Sequence, residues 1–548
     1  MEKMIIYQVL PRLFGNKNHT RKPGGTLQEN GCGKFNNFTP SVLKGLRETG
    51  YTHVWYTGVI RHATMTDYSA FGIPRQHPAV VKGRAGSPYA IVDYYDVDPD
   101  LAVSVEKRME EFEKLVARTH RAGLKVIIDF VPNHVARQYK SICKPNIGDC
   151  KSPIAEGVRD LGEDDDPTKG FDPVRNNFYY CPGQAFTPYF DLYHGEAEPY
   201  TEFPAKATGN DHFDNAPGRN DWYETVKLNY GVDYYAGGAG HFSPTPDTWH
   251  KMLDILLFWA SKGIDGFRCD MAEMVPAEFW TWATVKVREK FPPIIFIGEV
   301  YNPGLYRRYL QAGFDYLYDK VGRYDAMRDV ICHRRTTEAI TWAWQQTDDI
   351  RRNMLYFLEN HDEQRIASDF FAASGEKAVP ALVVLALMQQ NPFMVYCGQE
   401  WGERGMDQEG FSGHDGRTTI FDYWSITPQP SPLTALYAKV LNIARTEKAV
   451  TEGRMFDVMY VNRQYERQYA FLRKAGKELL LVVANFDDQP VSMQLTIPDH
   501  AFGYMEIREK AYKAEELLTG TAAKLVLMRD QAVKISLPAR GAVVYKIS

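Results

Sequence analysis

Four short stretches of the sequence place charged and polar side chains directly after apolar runs. They are DFVPNH at 129–134, GFRCD at 266–270, GEV at 298–300 and ENHD at 359–362. A single pair of such charges is most simply explained as a structural ion pair. Together, however, the stretches supply several carboxylates, one guanidinium and two imidazoles, and buried charges cost several kcal/mol unless they are paired. This set is too polar to be explained by packing, and it predicts a reactive site.

Hydrolysis of a glycosidic bond needs such a set. One carboxyl group must be protonated, to donate to the leaving oxygen, and another must be ionised, to attack C1. Arg268 and Asp270 point the same way from one strand, so the guanidinium is expected to lower the pKa of Asp270 and keep it ionised. Glu299, which lies among other carboxylates, is expected to stay protonated and act as the acid. On adjacent strands the two carboxyl groups would be about 5 Å apart, the arrangement of retaining enzymes.

A recurring order of helix, glycine and strand predicts how these side chains are positioned. Gly50, Gly123, Gly263 and Gly313 each end a predicted helix, and a strand follows each glycine almost at once. Eight strands that alternate with helices predict a parallel (β/α)₈ barrel of the α/β class, whose strands carry active-site residues at their C-terminal ends. The predicted strands are 5–10, 52–56, 124–130, 264–270, 294–298, 314–318, 354–358 and 393–396.

Two parts of the chain break this order and predict additional domains. Residues 133–246 are rich in Pro, Gly, Asn and aromatic side chains and contain few convincing helices, which indicates a domain inserted after the third strand. Residues 451–548 contain short strands separated by turns, which predicts a C-terminal all-β sandwich. The catalytic barrel is then formed by 1–132 and 247–450.

The composition excludes several classes of partner. The net charge of −5 over 548 residues provides no basic surface for nucleic acid, and no basic amphipathic helix indicates a membrane. The aromatic content of 13% is generous and suits stacking on the apolar faces of sugar rings. The sequence indicates no oligomeric state.

The N-terminus and the cysteines favour a cytoplasmic location. Residues 1–7 form a strand pattern without the apolar region of a signal peptide, and the longest apolar run, 381–388, is too short to span a bilayer. The seven cysteines show no zinc-binding spacing. Cys143 and Cys150 are predicted either to form a disulfide or, as the interpretation we favour, to be free thiols. Removal of a signal peptide would instead indicate a periplasmic or secreted protein.

In order and in strand placement, the four stretches resemble the signature regions of the α-amylase family, glycoside hydrolase family 13. The resemblance implies that Asp270 is the nucleophile, Glu299 the acid/base and Asp362 the stabiliser of the transition state. It also implies that the inserted segment is domain B and the β-rich tail domain C. Substrate contacts are implied for Tyr89, which would stack on the sugar in subsite −1, and for His134, Arg268 and His361.

The resemblance is weaker around a calcium site. Many family members carry Lys-His three and four residues after the nucleophile, where the lysine contacts sugar and the histidine carbonyl helps to bind calcium. Here these positions are Glu273 and Met274. Asn133 matches a family calcium ligand, and the loops around Asp164 and Asp166 offer further oxygens, although a solvated turn also explains that acidic run.

Leu228-Asn229 resembles the fifth signature region of the family.

Calcium is the one cofactor that the resemblance implies, and no organic cofactor is predicted.

The sequence thus predicts a retaining hydrolase of α-1,4-glucosidic bonds in starch-like polysaccharides or maltooligosaccharides. One alternative is a transglycosylase, an oligosaccharide-specific α-glucosidase or a cyclomaltodextrinase-like enzyme, which would use the same covalent intermediate. Another is a catalytically inactive barrel that binds glycans or partners, and the presence of all three carboxylates argues against it.

Overall fold

The protein is described from a computed structural model, in which some short segments are not described. The described residues are 2–142, 160–192, 198–409, 415–529 and 531–548. Cys143 and Cys150 lie outside them, so the choice between a disulfide and free thiols stays a prediction.

Eight parallel strands close into a barrel, and each strand pairs with its neighbours in chain order. Their residues are almost entirely buried, because the barrel packs side chains inside and helices cover it outside. All eight strands were predicted from apolar runs, and the predicted barrel is confirmed. The strands are β1 Ile5–Val9, β2 His53–Tyr56, β3 Lys125–Phe130, β4 Gly266–Cys269, β5 Ile295–Gly298, β6 Tyr316–Tyr318, β7 Met354–Phe357 and β8 Phe393–Tyr396.

α-Helices follow the barrel strands and cover the outside of the barrel. No helix in the described ranges is both long enough and apolar enough to cross a bilayer. The helix Val379–Met388 is buried along its whole length. The main helices are Pro40–Thr49, Arg108–Arg121, Asp247–Ser261, Ala277–Lys290, Tyr306–Gln311, Asp325–Ile331, Glu338–Gln345, Val379–Met388 and Pro432–Thr446.

The segment between β3 and the helix Asp247–Ser261 contains no α-helix in its described part. Its regular structure consists of short antiparallel ladders. One of these pairs His134–Ala136 with Thr225–Lys227, so the beginning of the insertion is tied to a later part of it. The domain limits at 132/133, 246/247 and 450/451 stay predictions.

The C-terminal part is an all-β sandwich, as predicted. Buried and exposed residues alternate along Val533–Leu537, the period expected of a strand with one face in a core. This strand and Val491–Leu495 form a two-stranded sheet. The larger sheet contains, in spatial order, Arg454–Asp457, Gln468–Ala475, Glu478–Asn485, Ala542–Ile547, Lys510–Glu516 and Thr521–Leu527.

Candidate active site

A cavity of about 370 Å³ opens at the C-terminal ends of the barrel strands. It brings together most of the side chains that were predicted from the sequence to form a site. Arg268 lies beside them, buried to 1% exposure, whereas Asn133 does not line the cavity. The predicted residues in the lining are Tyr89, His134, Asp270, Glu299, His361 and Asp362.

The guanidinium of Arg268 contacts the carboxyl groups of two strand ends. One terminal nitrogen lies 2.8 Å from Asp270 Oδ1, and the other lies 2.8 Å from Glu299 Oε2. These two carboxylate oxygens are therefore within about 8 Å of each other, since one planar fork reaches both. Asp129 and Asp362 lie further from the guanidinium, at 3.7 and 4.0 Å.

The charge state of Asp270 differs from the sequence-based expectation. Burial raises the pKa of Asp270 well above its ordinary value, Arg268 opposes that rise, and the neighbouring Glu299 carboxylate adds to it. The guanidinium thus acts in the predicted direction, but desolvation outweighs it, and the predicted net lowering is wrong. Burial likewise raises the pKa of Asp129 and of Asp362, the other two aspartates near this single cation.

Glu299 is held on both of its oxygens. The backbone N–H of Met271 donates to Oε2 at 2.8 Å, and the hydroxyl of Tyr301 donates to Oε1 at 2.5 Å. Met271, the residue after Asp270, adopts a left-handed conformation with φ 43°. A non-glycine residue in this region stores of the order of 1–3 kcal/mol of strain and is typical of functional sites. Here the unusual backbone directs an N–H at the carboxyl group of Glu299.

His361 and Tyr89 form one wall of the cavity. Their rings stack with centroids 5.3 Å apart, and the Tyr89 hydroxyl lies 2.5 Å from His361 Nε2. The same nitrogen is 3.1 Å from Asp362 Oδ2, and Gln8 Nε2 lies 2.7 Å from Nδ1. Burial and the nearby guanidinium lower the pKa of His361 well below its ordinary value, so this ring is neutral. It therefore acts by hydrogen bonding rather than by charge.

His134 lies where the inserted segment meets the cavity. Its ring centroid is 5.2 Å from that of Trp222. Burial, reinforced by the positive charges of Lys227 and Lys82, lowers the pKa of His134 to about 3. Lys82 forms a buried ion pair at 3.0 Å with Glu224, and both residues line the cavity. The insertion thus supplies the ring of Trp222 and the carboxylate of Glu224 to the cavity. Lys82, which pairs with Glu224, comes from outside the insertion.

Asp129 does not line the cavity and instead has a structural role. Its Oδ2 accepts hydrogen bonds from Trp55 Nε1 at 3.2 Å and from the backbone N–H of Gly58 at 3.0 Å. Burial raises the pKa of Asp129 to about 6. Its carboxyl group therefore fixes the end of β2 beneath Tyr89, whose hydroxyl is 3.4 Å from Oδ1.

Asn133 is buried in contact with a cation that belongs to the chain itself. Its Oδ1 accepts a hydrogen bond from the ammonium of Lys227, and its Nδ2 donates to the Gly209 carbonyl at 2.7 Å. The same ammonium lies 2.7 Å from Asp211 Oδ1 and 3.3 Å from the Met274 carbonyl. The oxygens that a calcium ion would need at Asn133 are therefore already directed at a positive charge, and this arrangement does not fit calcium.

The acidic run that offered further oxygens for calcium and the stretch that resembles the fifth signature region both have local structural contacts. Asp166 Oδ1 accepts hydrogen bonds from the backbone N–H of Thr168 at 3.0 Å and from its hydroxyl at 2.5 Å, which closes a turn. The side-chain amide of Asn229 donates to the carbonyls of Asp172 and Asn176, both at 2.9 Å.

Several contacts of this site were not predicted from the sequence. Tyr301 could have been found, because it follows Glu299 by two residues, the spacing that directed attention to Arg268 and Asp270. Lys227 directly precedes the stretch that resembles the fifth signature region. The pairing of Lys82 with Glu224 carries no local signal, since the two residues are far apart in the sequence.

Comparisons with known proteins assign both parts of the chain to one family. The sequence model of the α-amylase catalytic domain matches residues 8–152 and 242–429. The model of the α-amylase C-terminal all-β domain matches residues 460–548.

Individual proteins are similar over most of the chain at low identity. Neopullulanase 2 of Thermoactinomyces vulgaris is 21% identical over 512 residues, which span 91% of this chain and 72% of that protein. A cyclomaltodextrinase of a Bacillus species is 23% identical over 501 residues, which span 88% of this chain and 72% of that protein. The solved structure of a noncanonic maltogenic α-amylase, AmyB from Thermotoga neapolitana, has a TM-score of 0.64 at 21% identity and covers 99% of this chain and 98% of its own.

Proposed function

Since this chain belongs to the α-amylase family of glycoside hydrolases, we propose that it hydrolyses α-1,4-glucosidic bonds in starch-like polysaccharides or maltooligosaccharides with retention of configuration. It is a glycosidase of the α-amylase type. One observation carries the proposal furthest: a single buried guanidinium contacts both Asp270 and Glu299, each at 2.8 Å, at the mouth of the barrel.

In the first step, protonated Glu299 gives its proton to the glycosidic oxygen. The bond from C1 to that oxygen breaks, and its electron pair stays on the leaving group. A carboxylate oxygen of Asp270 forms the new bond to C1, which gives a covalent glycosyl-enzyme ester. Asp270 reacts in its ionised form, which the guanidinium of Arg268, 2.8 Å from Oδ1, stabilises against the burial that raises the pKa of Asp270.

In the second step, ionised Glu299 takes a proton from water. The water oxygen bonds to C1 while the ester bond breaks and Asp270 leaves as a carboxylate, so the anomeric configuration is retained. Asp362 opens into the cavity with 34% of its side chain exposed. It and the neutral His361 hydrogen-bond sugar hydroxyls, and Tyr89 and Trp222 offer ring faces to the sugar.

The relatives support a proposal about which substrates within this class are preferred. A neopullulanase and a cyclomaltodextrinase are among the similar proteins, which supports short or cyclic α-glucans as substrates besides starch. Product profiles by chromatography on starch, maltotriose, cyclodextrin, sucrose and trehalose test this. Long products from starch favour an amylase, whereas activity limited to short or cyclic sugars favours an oligosaccharidase.

Two substitutions test the assigned roles. Asp270→Asn and Glu299→Gln should each lower kcat/KM on maltooligosaccharides by more than about a hundredfold. Glu289→Gln, at an exposed position on the helix Ala277–Lys290, should leave it unchanged. Turnover that is unaffected by either active-site change would refute the assignment.

The covalent intermediate can be observed directly. A 5-fluoro-α-glucosyl fluoride reacts in the first step and slows the second, so it should add one glycosyl unit to the peptide that carries Asp270. Mass spectrometry of the digested protein measures this. A label on a different carboxyl group would contradict the role of Asp270.

We further propose that the enzyme needs no calcium at Asn133. The ammonium of Lys227 supplies the positive charge there, in contact with oxygens of Asn133, Asp211 and Met274. We also propose that the protein is located in the cytoplasm. The free thiols of Cys32, Cys181, Cys269, Cys332 and Cys397 support this location.

A further inference from the structure

Glu273, which stands where many family members carry lysine, connects two loops of the barrel mouth. It lies in the single helical turn Ala272–Met274 that follows β4. Its Oε2 accepts hydrogen bonds from the backbone N–H groups of Tyr301 at 3.1 Å and Asn302 at 3.0 Å, both in the loop after β5. The carboxylate thus clamps the backbone of a loop and contacts no catalytic group directly.

Hydrogen bonds from a second residue, Tyr309, fix the turn that contains Glu273. The hydroxyl of Tyr309 lies 3.0 Å from the Glu273 carbonyl and 2.8 Å from the Val275 carbonyl. Tyr309 belongs to the helix Tyr306–Gln311, which follows the clamped loop in the chain. The loop, its helix and the turn after β4 are therefore joined in a closed set of contacts.

This clamp determines where the hydroxyl of Tyr301 lies. Tyr301 follows Glu299 by two residues, so both side chains project to the same side of the strand end. Its hydroxyl donates to Glu299 Oε1 at 2.5 Å. Burial raises the pKa of Tyr301 well above its ordinary value, so the phenol keeps its proton and remains a donor.

The two oxygens of Glu299 have different partners. Oε2 accepts a hydrogen bond from the N–H of Met271 at 2.8 Å and lies 2.8 Å from a terminal nitrogen of Arg268. A proton on Oε2 would face the proton of Met271 and lie beside the positive charge of Arg268. The proton that Glu299 transfers is therefore carried on Oε1, beside the oxygen of Tyr301.

We propose that Tyr301 and Glu273 are positioning residues that determine when Glu299 releases and regains its proton. This inference depends on the proposed function, in which Glu299 is the acid and base. When Oε1 is ionised, the Tyr301 hydroxyl donates to it and stabilises the charged form. When Oε1 carries the proton, the phenol oxygen accepts it as a hydrogen bond until the glycosidic oxygen takes it. Glu273 acts only through the backbone of Tyr301.

Other ionisable groups also face Glu299, from several strands. They are unchanged when the Tyr301 hydroxyl is removed, so a change in pH dependence would report that hydroxyl. These groups are Arg268, Asp270, Tyr318 and His361, and Asp362 acts on Tyr301 itself.

The test is the pH dependence of kcat/KM on a maltooligosaccharide for the parent enzyme and Tyr301→Phe. The alkaline limb reports the loss of the proton from the acid of the free enzyme. Without the hydroxyl the charged form loses a charge-assisted hydrogen bond and the protonated form loses only a weaker neutral one, so we expect this limb to move to higher pH by about one pH unit. Tyr306→Phe is the matched control, because in the described part of the chain the buried Tyr306 hydroxyl has no hydrogen-bond partner. Its profile should coincide with that of the parent.

Substitutions of Glu273 test the clamp separately. Glu273→Gln keeps an oxygen that accepts the two N–H groups, and its profile should follow the parent. Glu273→Ala removes the acceptor, and its alkaline limb should move in the same direction as that of Tyr301→Phe. The double variant should move no further than Tyr301→Phe alone, since both changes act through one hydroxyl.

Three results would overturn the inference. These are an unmoved alkaline limb in Tyr301→Phe, an equal shift in Tyr306→Phe, or a Glu273→Gln profile that matches Glu273→Ala. A parent enzyme that hydrolyses no α-glucoside would instead contradict the proposed function, so the two failures are distinguishable.

Discussion

Two kinds of contact stabilise the buried positive charge of Arg268. The edge of its guanidinium contacts carboxyl oxygens of Asp270 and Glu299. Aromatic rings surround its central carbon at 5.2–5.5 Å, within the range of cation–π attraction. A lysine could supply the charge but not the planar fork that reaches two carboxylates at once. The rings are those of Trp55, Tyr89 and Tyr318.

A second buried ionisable residue, His53, links stability to pH. It begins β2, and burial lowers its pKa to about 3, with smaller effects from Lys125 and Arg47. An unfolded histidine has a pKa of about 6.5, so below that pH the unfolded chain binds a proton that the folded chain does not. This residue therefore destabilises the fold progressively as the pH falls from 6.5 towards 3.

We predict that His53→Gln reduces the acid sensitivity of the fold. Between pH 7.5 and pH 5 the parent should lose about 2 kcal/mol more unfolding free energy than the variant, at about 1.4 kcal/mol per pH unit below 6.5. Denaturant titrations at the two pH values measure this difference. His250→Gln, at an exposed position, should show the parent's pH dependence. An identical pH dependence in His53→Gln and the parent would contradict the prediction.

At the scale of residues, the sequence predicts identities better than charge states. Strand alternation placed Arg268 beside Asp270, and the structure has them 2.8 Å apart. The same sequence could not reveal that desolvation would outweigh that contact, because burial depends on the whole barrel. Similarly, Asn133 matched a calcium ligand, but its real partner, Lys227, lies 94 positions away.

At the scale of elements, the ladder between His134–Ala136 and Thr225–Lys227 positions one wall of the cavity. Gly209 packs against this ladder. A Cβ added at Gly209 would lie 2.6 Å from Thr225 Oγ1 and 2.8 Å from His134 Cβ. Real Cβ atoms do not make such contacts, so any larger residue must push the two strands apart.

Gly209→Ala should therefore lower both activity and stability. We expect a loss of about 1–3 kcal/mol in unfolding free energy, the usual cost of overpacking, and a lower kcat/KM because His134 is displaced. Thermal unfolding and maltooligosaccharide hydrolysis measure the two effects. Gly45→Ala is the control, since nothing lies within 4 Å of its added Cβ on the helix Pro40–Thr49. That change should stabilise by about 0.5–1 kcal/mol, and a neutral Gly209→Ala would contradict the packing argument.

The elements also differ in how far they can be predicted. The barrel strands are buried on both faces and stand out as apolar runs, four of which follow a helix-ending glycine, and this is why all eight were identified. The ladders of the insertion are two or three residues long. Segments this short have no detectable period, and long-range pairing decides their position.

At the scale of the whole molecule, two buried cations lie at the end of one barrel helix, and one of them joins it to the C-terminal sheet. The helix Val379–Met388 ends with carbonyls that have no partner within the helix. Lys3 donates to the carbonyls of Ala386 and Gln389, at 2.6 and 2.7 Å. Arg473, on the C-terminal sheet, donates to the Met388 carbonyl at 2.9 Å. Positive charges at a helix C-terminus are also favoured by its dipole.

Lys227 connects the insertion to the barrel in a similar way, through hydrogen bonds and an ion pair of its buried ammonium group. It belongs to the insertion, and its contacts are Asn133 after β3, Asp211 within the insertion and the Met274 carbonyl after β4. The ammonium is buried to 2% exposure. A covalently attached cation cannot be removed by a chelator, so this junction should depend on the lysine and not on the metal content of the solution.

We predict that EDTA leaves the unfolding temperature and activity of the parent enzyme unchanged, and that elemental analysis finds no bound calcium. Lys227→Met should cost about 1–3 kcal/mol, because the buried Oδ1 of Asn133 loses its donor. Lys114→Met removes an exposed ion pair with Glu110 and should cost less than about 1 kcal/mol. In Lys227→Ala, which leaves space beside the same oxygens, added calcium should recover part of the lost stability. Stoichiometric calcium in the parent, or a fall in its unfolding temperature with EDTA, would show that the ammonium does not replace the metal.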